Sequence, residues 1–109
     1  MNNLTNRTPE FRVQITQIDR KSHFAGTWVK GRINGNRFDA LVFAEHAEST
    51  DYELGTSQIS KLWIQRFEDD TTVFNFDRGL DIGPANAEVA WMVQVLSERL
   101  AGLVFSNGN

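Results

Sequence analysis

The feature that most constrains the fold is the dipeptide Asn34-Gly35, which separates two stretches of alternating sequence. This pair is typical of a two-residue β-hairpin loop, because a type I′ turn needs a positive φ at both central positions. We therefore predict two antiparallel strands, one from about His23 to Ile33 and one from Arg37 to about Glu45. A two-residue loop also sets the register of these strands, and hence the side chains that share a face.

Three further strands are predicted from their residue patterns. Phe11, Val13 and Ile15 alternate with polar residues, which is the period expected of a half-buried strand. Ile59–Phe67 and Thr72–Phe76 are rich in β-branched and aromatic residues and are bounded by polar turns. The chain therefore contains five predicted strands before any helical pattern begins.

The last predicted element is a helix over residues 85–105. Pro84 suits its first position, because the missing N–H of proline costs nothing there. One apolar stripe follows the helical period and contains Val89, Met92, Val93, Leu96, Leu100, Leu103 and Val104. We predict a single α+β domain over residues 10–105, an antiparallel five-stranded meander sheet with one C-terminal helix packed on one face. The polar stretches 1–9 and 106–109 are predicted to be flexible tails.

Composition narrows the classes of protein that the chain can represent. It has 109 residues, the size of one domain, and no cysteine, which excludes a disulfide framework, a thiolate zinc site and a cysteine nucleophile. No secretory leader or bilayer-spanning stretch is seen, so we expect a cytoplasmic protein without a membrane partner. The net charge of −3 is opposite to that of a duplex-binding domain and too small for a DNA mimic.

The sequence contains no recognisable catalytic or metal-binding motif. There is no Gly-x-Ser-x-Gly elbow and no phosphate-binding glycine motif. His23 and His46 lack the spacing of a metal site, and the acidic stretch 45–53 lacks the order of oxygen ligands in an EF-hand. We therefore expect a non-enzymatic protein with no cofactor and no metal.

The densest polar motif is Asp77-Arg78-Gly79-Leu80-Asp81. Asp77 and Asp81 could act as an acid–base pair, with Arg78 binding an anion. The favoured interpretation is structural, because Asp and Gly serve turns and Asp81 can compensate the positive end of the following helix.

The predicted hairpin presents one face that a single helix cannot cover. Large apolar side chains and three cations share this face, and such an apolar surface exceeds what a monomer normally exposes. Trp accompanied by Arg and Lys is typical of the centre of a protein interface. We predict a partner-binding site formed by Trp28, Lys30, Arg32, Arg37, Leu41 and Phe43. The alternative is that the sheet curls and that the N-terminal tail or the loop 46–57 buries part of this face.

A second exposed aromatic residue is predicted on the helix. Trp91 lies opposite the apolar stripe, with Val95 nearby. These two residues are predicted to contact a second copy of the chain in a homodimer. The alternative is a helix that is packed on two sides within one chain.

Several motifs resemble, in the same order, those of a known family. They are the stretches 28–35, 59–64 and 75–79, followed by Asp81, and together they span roughly residues 28–84. This pattern resembles a family of small uncharacterised proteins encoded by phages, plasmids and integrative elements. The loop 46–57 departs from that family, because it is longer and more acidic here.

The resemblance implies a mobile-element origin and a function by stoichiometric binding. The expected partner is a host protein or protein complex in the host cytoplasm, and an anti-CRISPR or other anti-defence inhibitor is one such function. The alternative from the residues themselves is a nucleic-acid-binding accessory protein that uses the basic hairpin around Trp28. The acidic total charge argues against that alternative.

Overall fold

The computed structural model describes residues 11–19, 26–43, 53–54 and 57–105. The elements are β1 (Val13–Asp19), β2 (Thr27–Ile33), β3 (Asn36–Val42), β4 (Ile59–Arg66), β5 (Thr72–Asp77), β6 (Leu80–Ile82) and α1 (Ala87–Phe105). The strands form one antiparallel sheet in chain order, and side chains of α1 share a core with one face of it. The predicted α+β class is thus confirmed. The predicted tails, His23, Phe24, His46 and most of the loop 46–57 lie outside the described residues.

The sheet has six strands, so the prediction of five is wrong. The additional strand, β6, lies between the fifth predicted strand and the predicted helix, where no element was predicted. It pairs with β5 through Asn75↔Ile82 and Phe76↔Leu80. Because β6 has three residues and all of them are exposed, it carries no alternation of buried and exposed side chains that a sequence pattern could show.

The register predicted for the β2–β3 hairpin is confirmed, with Ile33 opposite Asn36 and Lys30 opposite Asp39. The predicted turn type is wrong. Asn34 has a φ of 46°, but the φ of Gly35 is not positive. A type I′ turn is therefore not formed. A positive φ at the first central position alone is the pattern of a type II′ turn, which also matches the twist of a hairpin.

The helix begins at Ala87, two residues later than predicted. The side chain of Asn86 caps it, because its Oδ1 accepts a hydrogen bond from the backbone N–H of Val89 at 2.9 Å. Pro84 therefore precedes the cap rather than occupying the first helical position. The N–H of Ala85 donates to a carbonyl of β5 at 3.0 Å and ties this approach to the sheet. Within the described residues, no helix combines the length and apolar content needed to cross a membrane.

The apolar stripe of α1 is confirmed for five of its members, which are buried: Val89, Met92, Leu96, Leu100 and Val104. Leu103 is 43% exposed, whereas Val95 is only 5% exposed and belongs to the core. Val95, the predicted oligomer contact, therefore offers little surface to a second copy, because its side chain is already covered within one chain. A helical wheel gives the direction of a side chain, but the surrounding elements decide whether anything packs against it.

The sheet is closely packed around Gly31. A Cβ atom at this position would lie 2.5 Å from the backbone oxygen of Gln14 and 2.7 Å from Cζ of Phe38. Phe38 is the partner of Gly31 across β2 and β3, and its ring occupies the space that a side chain at position 31 would need. Glycine inside a strand commonly marks such a close approach.

We expect Leu96→Ala to lower the free energy of unfolding by about 2–5 kcal/mol, because it leaves a cavity where α1 meets the sheet. Leu103→Ala is the matched control in the same helix, and its side chain is 43% exposed. It should change stability by much less. Urea unfolding followed by circular dichroism measures both, and equal losses would contradict the described packing of α1.

Gly31→Ala should destabilise the protein by about 1–3 kcal/mol, because the added methyl group overlaps a backbone oxygen and a packed ring. The control is Gly35→Ala, where a Cβ atom would meet nothing within 4 Å. That variant should lie within about 0.5 kcal/mol of the parent protein. Thermal unfolding of both variants tests the expectation, and a neutral Gly31→Ala would show that β1 and β3 do not approach β2 so closely.

Candidate binding surface

The sheet face turned away from α1 is called here the outer face. Its side chains form three rows that cross β1 to β5, because residues paired between antiparallel strands lie side by side on the same face. The first row is Asp19, Trp28, Leu41, Lys61 and Asp77. The second row is Gln17, Lys30, Asp39, Trp63 and Asn75. The third row is Gln14, Arg32, Arg37, Gln65 and Thr72.

The first row places an exposed tryptophan beside an ion pair. Trp28 is 42% exposed. Nζ of Lys61 lies 6.0 Å from the centroid of the Trp28 ring and 3.6 Å from Oδ1 of Asp77. Lys61, on β4, therefore lies between the aromatic ring on β2 and a carboxylate on β5. A cation at this distance from an exposed ring is attracted to it only weakly.

Leu41, a predicted partner-binding residue, lies in the same row, but its side chain is only 5% exposed and offers little surface to a partner. A Cβ atom added at Gly26 would lie 3.0 Å from Cδ1 of Leu41 and 3.0 Å from Cζ of Phe43. The two side chains thus pack against the chain where it enters β2, and Phe43 is half-buried. Among the predicted residues at this end of the sheet, Trp28 is the one that offers a large exposed surface.

The second row is occupied by paired or fixed groups. Nζ of Lys30 lies 3.7 Å from Oδ2 of Asp39, so the two residues form an ion pair across β2 and β3. Trp63 is half-buried, and its Nε1 donates a hydrogen bond to Oγ1 of Thr72 at 3.1 Å. This bond holds the indole ring in one orientation on the outer face. Ion pairs between exposed groups such as Lys30 and Asp39 contribute about 0–1 kcal/mol to stability.

The third row brings two arginines together beside an exposed ring. Arg32 and Arg37 are direct partners across β2 and β3. Their Cζ atoms lie 5.6 Å and 5.8 Å from the centroid of the Phe67 ring. Nε of Arg37 donates to Oε1 of Gln65 at 2.6 Å, and its NH2 group lies 3.3 Å from Oδ1 of Asp70. Arg32 forms no ion pair with a described carboxylate.

Phe67 was missed as a functional candidate, although it is 43% exposed. The sequence pattern places it as the last residue of a strand, where an aromatic side chain is ordinary. Its N–H donates to the carbonyl of Gly35 at 3.0 Å, so the β4–β5 turn is joined to the β2–β3 turn. This contact between two turns, which the linear sequence does not show, brings the ring to the arginines.

The β4–β5 turn carries an ion pair of its own. Nε and NH2 of Arg66 donate to the two carboxylate oxygens of Asp69 at 3.1 Å and 3.0 Å. The hydrogen bonds from Arg66 are the main cause that lowers the pKa of Asp69 well below its usual range, and Thr71 adds to the effect. The same pairing raises the pKa of Arg66. This bidentate contact stiffens the turn that holds Phe67.

Trp91 lies on α1, away from the outer face, and its side chain is exposed. On the same exposed stretch of the helix, Nε2 of Gln94 donates to Oε2 of Glu98 at 2.7 Å. With Val95 buried, Trp91 is left without the apolar neighbour with which it was predicted to form a contact. Of the two residues predicted to contact a second copy, Trp91 is therefore the one whose side chain is exposed.

The motif Asp77 to Asp81 is occupied by structural contacts. Asp77 pairs with Lys61, and Oδ2 of Asp81 accepts a hydrogen bond from Nδ2 of Asn75 at 3.0 Å. Arg78 has a φ of 55° in the β5–β6 turn, where its N–H donates to the carbonyl of Ser60 at 2.9 Å. Across the described ranges, no group of three His, Asp or Glu side chains is placed to hold a metal ion.

Comparison with known proteins assigns the chain to a family. Residues 27–101 match the model of a family described as a domain of unknown function (DUF7678), and the chain belongs to that family. The matched region begins at the first residue of β2 and includes most of α1. No curated protein and no solved structure matches the chain.

Proposed function

We propose that this protein acts by binding another protein through the outer face of its sheet. The observation that carries the proposal is the exposure of Trp28 and Phe67 on a sheet face that α1 does not cover. Between them stand exposed cations of β2 and β3, and aromatic residues with arginine are the side chains most enriched at interface centres. The face is carried by hydrogen-bonded strands of one sheet, so binding to it loses little conformational entropy.

The charges of the outer face favour a protein over a nucleic acid. Lys30, Lys61 and Arg37 each lie within 4 Å of a carboxylate on this face or at its rim. Alternating charges of this kind suit the mixed surface of a protein, whereas a phosphate backbone would meet the carboxylates as well. The net charge of −3 also disfavours binding to a nucleic acid.

The family resemblance adds a narrower proposal on the identity of the partner. A protein of a phage, plasmid or integrative element would bind a host protein in one-to-one proportion and block it. An inhibitor of a defence system, such as an anti-CRISPR, is the form of this function that we propose. This origin and this target remain predictions, and they rest on the resemblance alone.

Binding through the outer face is tested by a photoreactive amino acid placed at Lys30, with Arg99 on α1 as the control position. Both side chains are exposed. The labelled protein is produced in cells, which are then irradiated. Position 30 should yield a covalent adduct of one copy of this protein with one copy of its partner protein, and position 99 should not. Trp28→Ala in the labelled protein should abolish that adduct.

Three results would contradict the proposal. Adducts of equal yield at both positions would show unspecific contact, and an adduct whose added mass is lost on nuclease treatment would identify a nucleic acid as the partner. Position 30 giving no adduct at all would remove the outer face as the binding surface.

Self-association through Trp91 is a separate proposal, supported by the exposed indole on α1. We expect a dimer by light scattering that dissociates in Trp91→Ala, because a buried aromatic anchor contributes much of the energy of an interface. Trp28→Ala is the control, since it removes an exposed indole of similar accessibility from the opposite side of the domain. A parent protein that is monomeric at high concentration would refute the homodimer.

A further inference from the structure

We propose that the corner formed by Arg12, Arg32, Arg37 and Phe67, called here the arginine corner, binds carboxylate side chains of an acidic segment of the partner protein. This inference rests on the proposed function and specifies the chemistry of the partner. It concerns one end of the outer face, where the turns of the two hairpins meet.

Two like charges meet at this corner, and the described residues compensate only one of them. Arg32 and Arg37 are direct cross-strand partners, and like charges in this relation destabilise a sheet. Asp70 lies 3.3 Å from Arg37, but no described carboxylate pairs with Arg32. An anion bound between the two guanidinium groups would relieve this repulsion and form charge-assisted hydrogen bonds with them.

The shape and lining of the corner also suit an acidic ligand. An open depression of about 560 Å³ lies beside Arg32. Its walls are formed by Phe11, Arg12, Gln14, Arg32, Asn34, Gly35 and Phe67. Two of these side chains are cationic, two are aromatic and none is acidic. By contrast, a depression of about 430 Å³ at the other end of the face, beside Trp28, includes Asp39 and Asp77 in its lining.

Hydrogen bonds hold the backbone of the corner in place before any ligand binds. The N–H of Arg12 donates to Oδ1 of Asn34 at 3.0 Å, which ties the residue before β1 to the hairpin turn. Phe67 is held by its hydrogen bond to Gly35, and Gln65 orients the guanidinium of Arg37 at 2.6 Å. These bonds fix the backbone at Arg12 and Phe67 and the guanidinium of Arg37, which lowers the entropy lost on binding.

The number of available cations favours carboxylates over the backbone of a nucleic acid. Sites for single-stranded nucleic acid carry a basic groove that tracks several nucleotides. Among the described cations of the outer face, Arg12 and Arg32 at this corner have no carboxylate partner, whereas Lys30, Arg37 and Lys61 are paired with Asp39, Asp70 and Asp77. Guanidinium groups bind carboxylates in a bidentate fashion, and the Phe67 ring can contact an apolar neighbour of the acidic residue.

The test uses a short capped peptide of alternating Glu and Leu, its counterpart with Gln in place of Glu, and a single-stranded oligothymidylate. Binding to the full chain is followed by NMR of the arginine Nε–Hε groups at low salt. The Glu peptide should shift the signals of Arg12 and Arg32, and the Gln peptide should not. Arg32→Gln should lower the affinity for the Glu peptide roughly tenfold, as expected for the loss of charged hydrogen bonds. Arg99→Gln, on the exposed side of α1, should leave its affinity unchanged.

The possible results separate this inference from the proposed function. If the photoreactive group at position 30 captures a protein but the Glu peptide shifts no arginine signal, the outer face binds proteins and the arginine corner does not select carboxylates. Equal binding of the Glu and Gln peptides would also overturn the inference. Tighter binding of the oligonucleotide than of the Glu peptide would assign the corner to phosphates instead.

Discussion

One helix of 19 residues can cover only one face of a six-stranded sheet. Much of the molecule follows from this limit. The face towards α1 carries the fully buried side chains, such as Val29, Phe38 and Leu62, and supplies most of the hydrophobic stabilisation of the domain. The outer face must then be compatible with water, and the paired charges of β2 to β5 meet that requirement. Trp28 and Phe67 are exceptions, as is Ile82 on β6, and the two aromatic rings indicate a binding surface.

Within each strand, alternate side chains lie on the same face of the sheet. Because the strands pair in chain order, these side chains form long rows across the sheet. Because every neighbouring pair of strands is antiparallel and adjacent in the chain, each row collects one residue from each of five strands. The row of Trp28 collects a carboxylate at each end, whereas the row of Arg32 contains no carboxylate. The outer face therefore differs in charge from one end to the other, and the two ends are suited to different contacts.

The turns connect this surface to the rest of the fold. The β4–β5 turn is stiffened by the bidentate contact of Arg66 with Asp69, and it is joined to the β2–β3 turn through Phe67 and Gly35. Asn36, at the start of β3, reaches the other side of the sheet, where its Nδ2 lies 3.4 Å from Sδ of Met92 in α1. The end of the sheet that carries the arginine corner is consequently braced against both the neighbouring turn and the helix.

The local features of this protein could be predicted from its residues alone. The Asn34-Gly35 loop set the hairpin register, and the helical period identified most of the buried stripe of α1, because both depend on residues close together in the chain. The tertiary structure alone decided the burial of Leu41 and Val95, the formation of β6 and the approach of Phe67 to two arginines. These features depend on which distant segments cover a side chain or offer a free strand edge, and no periodicity within one element carries that information.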